Sequence, residues 1–405
     1  MGTRRLSAWV ALTALLGIAL TGAAAGPRSY DEPRLIVPPG YRATADLTTL
    51  SATDRQWLGE GQVPGAASAW SDMATWALLD LHAMVRPNGA VPAGPGGPWS
   101  YTWPRDASFV AVALSRTGHG PDADRVLAFL ATVPYDPAQG LDARYTLDGR
   151  RVTGPAARPV QSDGCGWVLW AASTVRATAT ANGPRRPDTR VDDLVDRCTD
   201  TLVTLTDHGR RLPPATPDYL ELPVAATTLA AVAPMLTGLR AAVADYARRG
   251  DRDQAVATAL VADRLRATIT SQLGPLYERY GAYGGADAGS AMVMPPLGDG
   301  GAAEVASWLR YQRQAIAPAG GLAPAVDWPQ DGNSWTPETA LVAYTAAGSG
   351  HRDIARYWLD WLDSHRTAYG SLPEKVTRSG RPAGPAPLAW TSALVLLTLA
   401  ELDDR

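Results

Sequence analysis

Four segments of this 405-residue chain bring carboxylates, guanidiniums and aromatic rings together. Tyr101-Thr102-Trp103-Pro104-Arg105-Asp106 sets an arginine beside an aspartate, just after an indole. Such a pair can clamp the vicinal hydroxyls of one ligand while the indole stacks on its face. The same residues equally suit a helix start, with Pro104 in the first turn and an ion pair near the positive end of the helix dipole. Arg158-Pro159-Val160-Gln161-Ser162-Asp163-Gly164 offers an amide and a carboxylate, and Asp163 also reads as the N-cap of the apolar helix that follows. Pro217-Asp218-Tyr219-Leu220-Glu221 places two acids before an apolar run, again a favourable helix start. In Gly370-Ser371-Leu372-Pro373-Glu374-Lys375, a glutamate adjoins the chain's only lysine, and a solvated ion pair is the ordinary reading. Taken singly, each segment is better explained by local structure than by chemistry.

The elements that would position these segments are helical. Apolar residues recur at helical spacing over 66–85, 107–116, 123–133, 163–181, 191–206, 223–249, 252–273, 302–317, 337–347, 351–364 and 387–402, with scope for a twelfth stretch at 286–294. Several begin at Asp or Pro and end at Gly, as in Gly118-His119-Gly120-Pro121 and Gly250-Asp251. Strand signals are few. Tight turns alternate with long loops at 88–103, 135–161, 209–220, 320–335 and 369–387, so the chemistry-bearing residues fall on one side. This predicts an all-α fold, six helical hairpins closed into a toroid with the loops around one mouth. The alternative, an open solenoid, would show a repeating residue signature, and none is found.

Composition narrows the class. With 46% hydrophobic residues the chain has material for a large core, and a formal charge of −3 lacks the basic surplus of a nucleic-acid binder. The 14 Trp against 2 Phe suit a carbohydrate cleft, because amphipathic rings stack on pyranose faces, although core filling is the ordinary reading of any one Trp. The five His show no paired spacing and no metal-ligand array, and there is neither a Gly-x-Ser-x-Gly elbow nor a phosphate loop. Cys165 and Cys198 lie in neighbouring helical stretches and fit either one disulfide or two buried thiols. Arg4 and Arg5 precede an apolar run from Leu6 to Leu20, and Ala23-Ala24-Ala25 offers a small-residue cleavage site, which reads as an export signal cut near Ala25, with an uncleaved anchor as the alternative. The expected organisation is a leader over 1–25, a polar Pro-rich lead-in or linker over 26–62, and one domain over 63–405.

Taken together and in order, the segments resemble the catalytic domain of glycoside hydrolase family 15, the glucoamylases and their bacterial relatives, from about Ala66 to Leu402. Tyr101 to Asp106 looks like the family's Trp-x-Arg-Asp segment, which implies Tyr101, Trp103, Arg105 and Asp106 at the non-reducing-end sugar. Gln161 and Asp163 fall in a likeness of its Gln-x-Asp-Gly segment. Asp218-Tyr219-Leu220-Glu221 stands where the family has Asp-x-Trp-Glu, implying Glu221 as general acid and Asp218, like Gln161 and Asp163, as a binding residue. Gly332-Asn333-Ser334-Trp335 resembles Gly-Asn-Pro-Trp, and Leu372-Pro373-Glu374 resembles Leu-Pro-Glu-Gln, implying Glu374 as general base; Pro387-Leu388-Ala389-Trp390 follows as it does there. Trp335 and Trp390 are then further binding residues. The family's fold is the (α/α)6 toroid.

The resemblance implies a secreted, inverting, exo-acting hydrolase that releases a terminal sugar from an α-glucan-like or related bacterial glycan. One carboxyl protonates the glycosidic oxygen while the other activates water across a gap of about 6.5–9.5 Å. The expected partner is a carbohydrate substrate alone, with no cofactor, metal or nucleic acid, no membrane once the leader is cut, and a monomeric state. The alternatives are a glycan-binding toroid that has lost turnover, or another sugar-active toroid such as a lyase or phosphorylase. Three departures bear on specificity: Leu220 replaces the family's Trp, Leu222 follows Glu221 where an acid is frequent, and 325–331 lacks the family's sugar-contacting Arg.

Overall fold

The computed structural model describes residues 33–42, 44–181, 188–329 and 331–404. The chain divides into units 1–31 and 32–405. The first, which contains the expected leader, lies outside the described residues.

Twelve helical positions in 71–403 alternate between an outer and an inner ring, counted among the described residues. The outer ring is α2 (Ser71–Met84), α4 (Gly120–Thr132), α6 (Thr189–Leu205), α8 (Arg252–Leu273), α9 (Ala302–Gln314) and α11 (Arg352–Ser364). The inner ring is α3 (Pro104–Arg116), α5 (Gly164–Ala181), α7 (Leu229–Arg249), a 3-10 helix (Ala288–Val293), α10 (Thr336–Gly348) and α12 (Ala389–Asp403). Each inner member packs on the next, and α12 closes back onto α3. The fold is the expected all-α toroid, with the twelfth stretch realised as the 3-10 segment.

Burial follows position. Every described residue of α10 is buried, whereas α11 buries Ala355, Trp358, Leu359, Trp361 and Leu362 on one face. Trp76, Trp167 and Trp308 are fully buried, so for these rings core filling is the role. Where α5 crosses α7, Gly166 faces Gly238; a Cβ on Gly238 would fall 2.6 Å from the Gly166 Cα, a closeness only glycine permits. Cys165 of α5 and Cys198 of α6 form a disulfide, which decides the alternative left open by sequence.

Two boundaries differ from expectation. The lead-in contains α1 (Ala52–Gly59), opened by a capping box between Ser51 and Asp54 that the weak apolar periodicity of this segment hides. Helix α7 begins at Leu229 rather than near 223, because Thr228 caps it by accepting from the Ala231 N–H while its hydroxyl donates to Asp218 at 2.8 Å, and 222–227 stays irregular to make that reach.

The connections from outer to inner helices are the long ones, so the inner members all start at the same end. There β1 (Leu35–Ile36), β4 (Ser334–Trp335), β5 (Lys375–Val376) and β6 (Pro382–Pro385) form a small sheet in the order β1-β6-β5-β4, while β2 (Tyr135–Asp136) and β3 (Gly140–Leu141) form a hairpin. The pairing sets Trp335 opposite Lys375 and runs β1 parallel to β6. The prolines of β6 lie where no donor is needed, since the amides of Gly384 and Ala386 supply the bonds to Arg34 and Ile36.

Candidate active site

Glu221 sits in a turn tied by Asp218. The Asp218 carboxylate accepts from Leu220 N–H at 3.0 Å, its backbone carbonyl accepts from Glu221 N–H at 2.9 Å, and Glu221 itself is held at φ 54°. A left-handed non-glycine residue costs about 1–3 kcal/mol and persists only where its surroundings impose it. Here the imposition is a buried ion triad: Arg279 meets Asp218 at 2.8 Å and Asp287 at 2.9 Å, and Thr228 adds its hydroxyl to Asp218. Burial pushes Asp287 up to about 6 against the pull of Arg279. Asp218, wholly buried, thus has its oxygens committed to this scaffold.

The Glu221 carboxylate faces three donors. Trp103 Nε1 donates to Oε1 at 2.7 Å, Gln161 Nε2 to the same oxygen at 3.3 Å, and Arg158 Nε to Oε2 at 3.0 Å. Reciprocal backbone bonds between Thr102 and Tyr145 pin the Trp103 loop to the loop that carries Gln161. Behind Trp103, Arg105 and Asp106 form a buried ion pair at 3.0 Å. The Arg105 guanidinium lies 4.6 Å from the Trp390 ring centroid. Burial opposes the charge of Arg105, but Asp106, Asp163 and Glu221 outweigh it and hold the group above its ordinary value. Burial likewise raises the Asp106 carboxyl, with Arg105 opposing and Glu221 adding to the rise.

Glu374 is fixed by its own set of contacts. Its N–H donates to Pro385 O at 2.9 Å, and its carbonyl accepts from Thr336 N–H at 3.0 Å. Trp99 Nε1 donates to Oε1 at 2.9 Å, Lys375 Nζ stands 3.2 Å from Oε2, and that ammonium lies 4.1 Å from the Trp335 ring centroid. Gly384 of β6, at φ 71°, allows the carboxylate to pack against the backbone; a Cβ there would come within 2.7 Å of Oε2.

The structure therefore joins Glu221, Trp103, Gln161, Arg105, Asp106 and Trp390 in one contact chain, and Glu374 with Trp335 in another. Tyr101 lies edge-on to Trp103, with Arg144 over its ring at 4.4 Å. Asp163 points into its own helix, accepting from Trp167 Nε1 at 2.9 Å, and burial pushes it up to about 6. Sequence reasoning missed Trp99, Arg158, Arg279 and Glu338. Arg158 lay inside a segment already singled out, whereas Trp99 and Arg279 sit in Gly-rich loops without a pattern. Glu338, in the Thr-Pro-Glu start of α10, looks like an ordinary first-turn acid.

Among the buried polar atoms without a hydrogen bond, which also occur in the core at Trp76, Tyr246 and Trp308, are Arg105 Nε, Trp335 Nε1, Trp390 Nε1 and Glu338 Oε2, while Asp106 Oδ2 and Glu374 Oε2 keep only their ion-pair contacts. Native proteins leave few such atoms unpaired, and a polar ligand is one way to complete the bonding.

The architecture has clear counterparts. A glycosidase, solved as a single-residue variant, superposes with a TM-score of 0.70 at 21% identity, covering 87% of this chain and 99% of that one. This chain has the glucoamylase fold. A bacterial glucoamylase complexed with acarbose matches at TM-score 0.69 and 15% identity over 86% of this chain and 57% of that one. The glucoamylase of Saccharomycopsis fibuligera matches at 0.64 and 14% over 81% and 93%. No protein-family model matches the chain, and no curated protein matches it in sequence. Among the described residues of this glucoamylase-like toroid, no helix is long and apolar enough to cross a membrane.

Proposed function

We propose that this protein is an exported, inverting, exo-acting glycoside hydrolase of the glucoamylase type, with Glu221 as general acid and Glu374 as general base. The observation that carries the reading is the pair of carboxylates on separate long loops, each accepting from an indole N–H. Arg105 and Asp106 would hold the hydroxyls of the terminal sugar through charge-assisted bonds, with Trp335 and Trp390 offering further polar edges. Glu221 would protonate the departing oxygen as Glu374 takes a proton from the attacking water, giving a product of inverted anomeric configuration. The leader over 1–25, the lead-in over 26–62, the single domain over 63–405 and the monomeric state belong to the same proposal.

The test is hydrolysis of a panel of α-glucans, trehalose and bacterial cell-wall polysaccharides, with the anomer of the released sugar read by NMR. Glu221→Gln and Glu374→Gln should each lower turnover by about 10²–10⁴-fold. Wild-type rates in either variant would remove that residue from its role. One observation favours a second reading, a binding toroid without turnover: Arg158 occupies Oε2 of the acid. Sugar binding in the wild type, without release of product from any panel member, would select it.

A further inference from the structure

Glu338 stands in the first turn of α10, three residues beyond Trp335 and two beyond Thr336, whose amide binds the Glu374 carbonyl. It is 3% exposed. Its carboxyl takes a hydrogen bond from its own backbone N–H, its Oε2 has no partner, and among the described residues no cation comes within ion-pair distance of it. The charged groups that act on it are Glu374 and Lys375 from the loop after α11 and Arg105 from α3, and its own charge bears on Tyr311 of α9 and on Tyr219. Both tyrosines already donate their hydroxyls to backbone carbonyls, at Ala323 and Pro324, and so are not turned to Glu338. A buried acid with an unused oxygen, in the helix turn that follows Trp335 and is tied through Thr336 to Glu374, lacks a partner from the protein.

We propose that Glu338 is a sugar-binding residue whose carboxyl O–H donates a hydrogen bond to a hydroxyl oxygen of the terminal sugar, beside the carboxylate that activates water. The inference rests on the glycosidase reading and adds to it a third working carboxyl. Burial pushes this group up to about 8, Glu374 adds to the rise, and the more distant charges of Arg105 and Lys375 oppose it. At neutral pH the side chain therefore keeps its proton and is a donor, a role no ionised glutamate can fill. A neutral neighbour also avoids adding a second negative charge beside the carboxylate that the proposed water-activating role of Glu374 requires.

The experiment titrates glucose, galactose and mannose calorimetrically into the intact protein carrying Glu221→Gln, so that binding is read without turnover. In that background E338L should weaken the best-bound sugar by roughly tenfold, the worth of one neutral hydrogen bond at its upper range. E338Q, which keeps an N–H donor, should retain most of the affinity. The pH profile separates binding from mere packing. With Glu338 present, affinity should fall as pH rises from 7 to 9, because the donor is lost as the group ionises, and with E338Q it should stay flat. An infrared band of a protonated carboxyl at pH 7, absent in E338Q and shifted by sugar, gives an independent readout. Unchanged affinity in E338L, or parallel alkaline loss in both proteins, would overturn the inference while leaving hydrolysis by Glu221 and Glu374 standing. Absence of both sugar binding and glycan hydrolysis in the wild type would instead overturn the two together.

Discussion

Arg279→Met should cost about 3–5 kcal/mol of folding stability at pH 7.5, and visibly less at pH 5. The guanidinium is 7% exposed and binds two carboxylates that are themselves 0% and 1% exposed, Asp218 and Asp287. Removing one member of a buried ionic cluster leaves the others charged without compensation, which is where the figure of about 3–5 kcal/mol comes from. The pH dependence follows from the same atoms. Even with Arg279 in place, Asp287 moves from 3.8 to about 6, so ionising it in the folded state already costs ~3 kcal/mol. A carboxyl raised on folding contributes stability that is fully present below its unfolded value and is lost as pH climbs through the folded one. Without the cation the Asp287 carboxyl rises further, so the loss extends to higher pH, and acidification to pH 5 restores part of the stability by protonating it. Chemical denaturation of both proteins at the two pH values measures the difference. Activity should fall as well, because Asp218 holds the Leu220 amide and with it the turn that aims Glu221. A variant with wild-type denaturation midpoints, or one destabilised equally at both pH values, would refute the argument that this triad is an ion cluster on which the acid loop depends.

Other consequences can be measured directly. Arg105→Ala should weaken inhibition by the product sugar, and unchanged inhibition would reduce the Arg105–Asp106 pair to a helix-start ion pair. Maltotriose should be a poor substrate, with kcat/KM below about 10⁴ M⁻¹s⁻¹, since Leu220 supplies no stacking ring; Leu220→Trp should raise it, and no gain would mean that another position sets the preference. Replacing Cys165 and Cys198 together by Ala frees a 33-residue separation in the unfolded chain and should cost ~3–4 kcal/mol by loop entropy, read as a lower thermal midpoint.

Much of this architecture was legible because each helix declares itself locally. The inner helices α10 and α12 are nearly continuous apolar runs, while the outer α11 alternates faces. What the sequence could not express was the three-dimensional meaning of residues that read normally in one dimension. Asp218 reads in sequence as a helix-start acid or a binding residue beside Glu221, yet Arg279, distant in sequence and inside a Gly-rich loop, pairs with it. Trp99 sits in a Gly-Pro stretch with no periodicity, and its tie to Glu374 spans 275 positions. Glu338 obeys the rule that acids favour a helix's first turn, so nothing local distinguished it from a solvated one. The short helix α1 was missed for the opposite reason: its capping box was present in the sequence, but the apolar face that usually announces a helix was not.

The two carboxylates are held in unlike ways, and the difference fits unlike tasks. Glu374 has its backbone fixed by Pro385 and Thr336, its side chain packed on Gly384 and both oxygens touched by Trp99 and Lys375; the loop that carries it is also strapped by Arg42, which reaches Ser371 at 2.9 Å and the buried Asp80. A water-activating base must stay where the water is, and rigidity serves it. Glu221 is firm on one oxygen only. Its contact with Arg158 joins side chains 33% and 24% exposed, so solvent screening leaves the pair worth no more than about 1 kcal/mol. A substrate entering beside Oε2 can displace that arginine at little cost while Trp103 and Gln161 keep Oε1 in register. On the proposed mechanism the Arg158 contact does not obstruct catalysis. Arg158→Ala should then leave kcat near wild type and act mainly on KM, whereas a large fall in kcat would mean that the arginine takes part in the chemistry.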